Sequence, residues 1–211
     1  MIEIKHKESG GVLLQVDAES LENISFAGAQ LAGASLVRAA LPGVDFRNAN
    51  LCDVDFTEAQ LDNGNFRSAC LNGSVMDRAN LSGADFTDAI LLGVRLTEVT
   101  ATDSIFRYAR LAECDMTGSN FSGADMSMAD LRGNLNDCNL TGADLRGADL
   151  TGANLTGANL NHANLTNAKL ADAVLLRTQM DGTIGTHGQR VDMRGGFRKK
   201  DKRAWWQFWG Q

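Results

Sequence analysis

The sequence predicts an all-β fold, a four-sided β-helical solenoid. Three observations predict it: a large apolar residue at every fifth position, a small residue two places before it, and a phenylalanine at every twentieth. The apolar series begins at Leu21 and runs through Phe26, Leu31, Leu36, Leu41 and Phe46 to Leu131, with Ala101 its only small member. Ala29, Ala34, Ala39, Ala49, Ala59, Ala69, Ala79, Ala84 and Ala89 hold the small position. One residue is missing between Leu131 and Leu135, where Gly133 serves both repeats, and the five-step then resumes through Leu140 to Met180. Neither an α-helix of period 3.6 nor a strand of period 2 keeps every fifth residue on one buried line. A coil of short straight segments joined by turns does. Phe26, Phe46, Phe66, Phe86 and Phe106 then mark one side of a coil of four five-residue sides. They are expected to stack in the interior at the spacing of neighbouring strands, about 4.8 Å, with Met126, Leu145 and Leu165 continuing the series. About 33 such centres, at ~1.5 to 3 kcal/mol each, offset the entropy of ordering the chain without a conventional core.

The 211 residues suit one substantial domain with appendages, and the 22 glycines, single proline and 6% aromatic content fit a repeat. A solenoid needs caps over its strand edges. Residues 2–7 alternate, residues 12–16 are strand-like, and Glu8-Ser9-Gly10-Gly11 between them reads as a turn, so residues 1–18 are expected to form an N-terminal β-hairpin cap. The repeat occupies residues 19–182. Residues 183–211 form a basic, Trp-rich C-terminal tail, in which Arg198, Lys199, Lys200, Lys202 and Arg203 precede Trp205, Trp206, Phe208 and Trp209. From residue 187 onward the net charge is +5, which leaves −11 on the body of a chain whose total is −6. This tail is the candidate partner-binding or capping element. It folds back on the last coil, pairs two chains into a homodimer through the terminus, docks to a protein partner, or contacts an anionic membrane surface.

The five-residue pattern A(D/N)LxG, as in Ala143-Asp144-Leu145-Arg146-Gly147 and Ala153-Asn154-Leu155-Thr156-Gly157, resembles that of the pentapeptide-repeat family over roughly residues 19–182. The resemblance implies a right-handed quadrilateral β-helix, with the centre and the small residue pointing inward and the other three outward.

No catalytic, cofactor-binding or metal-binding residues are expected. A filled prism offers little concavity for a tuned acid-base pair. His6, His162 and His187 belong to cap, shaft and tail, and the glycines recur as turn residues rather than as a phosphate loop. The four cysteines are expected to be reduced thiols, since no leader of basic and apolar segments precedes them and no pair has C-x-x-C spacing. Cys114 and Cys138 fall at the small inward position; Cys52 and Cys70 fall at outward positions and are expected to carry no redox role. The same lack of a leader, and of an apolar run long enough to span a bilayer, gives a cytoplasmic expectation.

Two functions remain. The preferred one is a non-catalytic scaffold or adaptor, a shaft of about eight coils and ~40 Å that presents its faces or tail to a protein partner. The alternative is a DNA mimic that binds type II topoisomerase, as the resemblance to the quinolone-resistance members of the family implies. The side free of Lys and Arg carries only Glu22, Asp62, Asp103 and Asp181. That is roughly one charge per 10 Å at strand spacing, against one per about 1.7 Å in duplex DNA. On the phenylalanine side, Asp45, Asp85, Asp125 and Asp144 alternate with Arg47, Arg67, Arg107 and Arg146, which predicts self-compensating ladders. Nucleic acid itself is not an expected ligand of an acidic shaft.

Overall fold

The computed structural model describes residues 1–190. The tail residues Arg198, Lys199, Lys200, Lys202, Arg203, Trp205, Trp206, Phe208 and Trp209 therefore lie outside the described residues.

Each five-residue unit closes on a turn. The Ala29 N–H donates to the Phe26 carbonyl at 3.0 Å, and Gly28 between them has φ +70°. A turn with positive φ at its third residue is type II, and that conformation favours Gly, Asn or Asp. The residue two places after the centre is accordingly Gly28, Gly33 or Gly43 in some units and Asn23, Asn48 or Asp53 in others. Arg38, Glu58 and Tyr108 take the same conformation, at φ 55°, 59° and 57°, because the ladders on either side impose it.

The residue before each centre pairs in parallel with its counterpart one coil further on: Ser25 with Asp45, Asp45 with Asn65, Asn65 with Asp85. Two backbone bonds make each link, as where Phe26 N–H donates to Asp45 C=O at 2.6 Å and Asp45 N–H donates to Ile24 C=O at 2.9 Å. Four such ladders form the four sides.

The centres and the small residues fill the interior. Phe46, Phe66, Phe86 and Phe106 are fully buried, and the ring centroids from Phe26 onward are 5.4, 5.3, 4.5 and 4.6 Å apart. The last two pairs are nearly parallel, at 8° and 2°. Phe56 and Phe121 enter from other sides and meet the stack edge-on. Several polar residues at the small inward position bond to a carbonyl of the preceding coil, Cys114 Sγ to Leu91 O at 2.8 Å, Cys138 Sγ to Met116 O at 2.9 Å and Thr183 Oγ1 to Leu160 O at 2.7 Å, whereas Ser104 Oγ bonds within its own coil to Ala101 O at 2.7 Å and the buried Ser74 hydroxyl has no partner among the described residues.

The missing residue shortens one corner. Asp115 pairs with Asn134, Asn120 with Asn139, Asp125 with Asp144 and Asp130 with Asp149, each 19 residues on; Asn134 then pairs with Asn154, 20 on. At that corner Gly133 N–H donates to Leu131 C=O at 2.8 Å, and the chain passes so close to the preceding coil that a Cβ on Gly133 would lie 2.6 Å from the Cys114 carbonyl oxygen.

At the N-terminal end, β1 (Ile2–His6) lies between β2 (Val12–Val16) and β3 (Ala34–Ser35), antiparallel to both. Lys5 faces Ser35 and His6 faces Ala34, while Ile4, only 2% exposed, joins the core. A register shift between Ile4 and Lys5 interrupts the β1–β2 pairing. At the other end Ile184 pairs antiparallel with Arg190, and the last coils are less covered: Leu175 is half-buried, and Val174 and Leu176 are 47% and 58% exposed. Among the described residues no helix is long and apolar enough to cross a membrane.

Candidate functional site

The outward polar residues serve the fold first. The Asp or Asn before each centre accepts the backbone N–H of the residue after it: Asp45 from Arg47 at 3.1 Å, Asp55 from Thr57 at 2.9 Å, Asn139 from Thr141 at 3.1 Å. This side-chain turn is why the motif carries D or N at that place. In several units where the residue after the centre is Ser or Thr, its hydroxyl donates to the same oxygen, at 2.6 Å for Thr57, Thr87, Thr117 and Ser127. Many of the body's acidic groups are thus part of its turn chemistry.

Part of the remaining carboxylate capacity faces arginines. On the phenylalanine side, Arg47 pairs with Asp45 at 2.8 Å, Arg67 with Asp85 at 3.2 Å, Arg107 with Asp125 at 2.6 Å and Arg146 with Asp144 at 2.5 Å. On another corner the charges alternate coil by coil, Arg38 to Glu58 at 2.6 Å, Glu58 to Arg78 at 3.9 Å and Arg78 to Glu98 at 2.9 Å. Such exposed pairs each contribute about 0–1 kcal/mol. Their larger effect is to cancel the surface field.

The Arg47 guanidinium holds the Asp45 carboxyl down to about 2 from its ordinary 3.8, burial opposing it more weakly. A group whose folded value is depressed adds stability above its unfolded value and loses it as pH falls through the folded one. The urea midpoint of the protein is therefore expected to fall between pH 3.8 and about 2. In Asp45→Asn, which keeps the turn as Asn65 and Asn164 do, the fall should be smaller; an identical acid limb would remove Asp45 from the balance.

A cleft of about 430 Å³ lies where the β1–β2 turn meets the first coils, lined by His6, Lys7, Glu8, Ala32, Gly33 and Asp53. Two of its polar groups are already engaged. Lys7 Nζ donates to the Asp53 carbonyl at 2.6 Å, and His6 Nδ1 accepts the N–H groups of Glu8 and Ser9 at 3.2 and 3.4 Å. The other histidines stand elsewhere, His162 against Gly182 and His187 beside Thr186. Among the described residues no three His, Cys, Asp or Glu side chains gather as a metal site would require.

The structure brings together one pair that spacing along the chain concealed. Cys52 and Cys70, both half-buried, place their sulfurs 2.7 Å apart. They stand 18 residues apart on successive coils, the same diagonal that joins Arg67 to Asp85 and Arg107 to Asp125. That spacing was the available signal. Cys114 and Cys138 are interior, and burial pushes both thiols up to about 12.

These features define a β-helical repeat protein whose outward polar groups bond largely to its own turns and ladders. The chain belongs to the pentapeptide-repeat family: the family model for pentapeptide repeats matches in eight copies over residues 20–48, 43–78, 65–100, 79–118, 102–133, 134–172 and 148–184. The β-helix is the right-handed quadrilateral one of that family. Solved structures similar to it include HetL, a pentapeptide repeat protein involved in heterocyst differentiation regulation from the cyanobacterium Nostoc sp. strain PCC 7120 (28% identity, 82% of this chain and 89% of that one, TM-score 0.31). Another is a trypsin-treated variant of QnrB1, a plasmid-mediated fluoroquinolone resistance protein (22% identity, 79% and 86%, TM-score 0.47). A third is alr5209 from Nostoc PCC 7120 (32% identity, 50% and 83%, TM-score 0.22). No curated protein sequence matches.

Proposed function

We propose that this chain is a non-catalytic interaction scaffold, a stiff shaft that presents its faces and its basic aromatic tail to a protein partner. The supporting observation is the pairing of the outward carboxylates with turn N–H groups and arginines. Catalysis requires ionisable groups that converge in a concavity and remain available to substrate. Groups already committed along flat ladders suit recognition by shape instead. The test is a pull-down from source-cell lysate with the full chain and with a chain ending at Gly182. A partner held only by the full chain assigns recognition to the tail; one held by both assigns it to the shaft. Turnover of a substrate by the purified protein would overturn the reading.

The acidic body favours a second reading, binding of type II topoisomerase by DNA mimicry. The Arg–Asp and Arg–Glu ladders weigh against it, because they interrupt every run of negative charge they touch. Capture of the topoisomerase by both chains, with inhibition of gyrase supercoiling at low micromolar protein, would favour it over the scaffold.

A further inference from the structure

We infer that Cys52 and Cys70 form a modification site, a dithiol that a low-molecular-weight disulfide such as oxidised glutathione converts to an intramolecular disulfide stapling two successive coils. The backbone fixes the pair. Cys52 follows the centre Leu51, Cys70 precedes the centre Leu71, and the coils join where Asn50 pairs with Cys70 and where Leu51 N–H donates to Cys70 C=O at 2.7 Å. A disulfide requires converging Cβ vectors, and Cys52 stands on the ladder's diagonal from Cys70, two residues beyond its partner Asn50. The 2.7 Å sulfur contact shows that the side chains converge. Both are half-buried, so a small disulfide reaches them from solvent.

In the first step the Cys70 sulfur, as thiolate, attacks one sulfur of the glutathione disulfide. That S–S bond breaks, one glutathione thiolate leaves, and Cys70 is held in a mixed disulfide. Cys52 then gives its proton to water and attacks the Cys70 sulfur, and the second glutathione leaves. The protein loses two electrons and two protons, and the glutathione disulfide gains both as two thiols. Burial, and then the hydrogen bond with Cys70, push the Cys52 thiol up to about 11, which disfavours its thiolate and so disfavours a first attack by Cys52. The contribution of the neighbouring thiol is lost once Cys70 is derivatised. Cys114 and Cys138 are internal controls, since each is buried and donates to a backbone carbonyl.

The full chain is incubated natively with oxidised glutathione, then denatured, alkylated and analysed by mass spectrometry of intact protein and peptides. The expected product has two of its four thiols lost to alkylation, a mass lower by two hydrogens, and a linked pair of peptides containing Cys52 and Cys70, all reversed by dithiothreitol. Cys52→Ser and Cys70→Ser, changes at outward positions that leave the interior intact, should give no linked species and at most one glutathione adduct. Four alkylatable thiols in the treated wild type, separate glutathione adducts on Cys52 and Cys70, or links only between chains would each overturn the inference.

Discussion

Replacing Phe66 with alanine is expected to lower the stability of the shaft by ~3–5 kcal/mol, the range for truncating a buried phenylalanine, and urea titration reads it directly. The ring is fully buried and contacts three others, stacked against Phe86 at 4.5 Å, tilted by 36° against Phe46 at 5.3 Å and meeting Phe56 edge-on at 6.3 Å. Its own unit carries Gly64 at the small inward position, where a Cβ would lie 2.8 Å from the Phe66 ring. The phenyl group thus fills the space an alanine holds in most other units. Removing it leaves a void with little means of collapse, because ladder bonds such as Phe66 N–H to Asp85 C=O at 2.7 Å hold the coils at fixed spacing. Phe66→Leu should lose much less, under ~1.5 kcal/mol, since leucine already fills this column at Leu145 and Leu165. A loss below 1 kcal/mol for Phe66→Ala would mean that the stack contributes little.

Gly133→Ala should cost ~1–3 kcal/mol, the range for overpacking a close-packed site. The added Cβ would lie 2.6 Å from the Cys114 carbonyl oxygen and 3.2 Å from the Cys114 nitrogen, and both are backbone atoms that side-chain rotation cannot move. The informative comparison is Gly152→Asn. Gly152 has φ +67° and open space around its Cβ position, and Asn48 and Asp53 already adopt that conformation at equivalent corners. Its replacement should cost under about 1 kcal/mol. Equal losses for the two variants would show that the shortened corner has room to relax.

The fold class was legible because the pattern is strict. A five-residue period admits few geometries, and the twenty-residue recurrence of phenylalanine sets four sides to a coil. Particular neighbours were less legible. Asp45 and Arg47 lie two residues apart and were readable as a pair, but Arg67 reaches forward to Asp85 and Arg95 back to Asp77. Those diagonals depend on the offset between coils, which the period alone does not give. The Cys52–Cys70 contact was missed for the same reason: two cysteines 18 residues apart match no spacing motif along a chain, only a vector across a ladder. The hairpin pattern of residues 2–16 did not show which strand would rest on the shaft. That choice follows from Ile4, whose side chain enters the core while β2 keeps to the outside.

The shortened corner at Gly133 behaves as a stacking fault does in a crystal. The four ladder links that span it are each one residue short, and the next link has already returned to twenty. The displacement is confined to a single turn and does not propagate. Below and above it the lattice is regular, and there the chain keeps its register only if residues are gained or lost in whole coils. The shaft's length is in that sense quantised, and among the described residues the fault is the one place where a single inserted residue would bring the register closer to ideal.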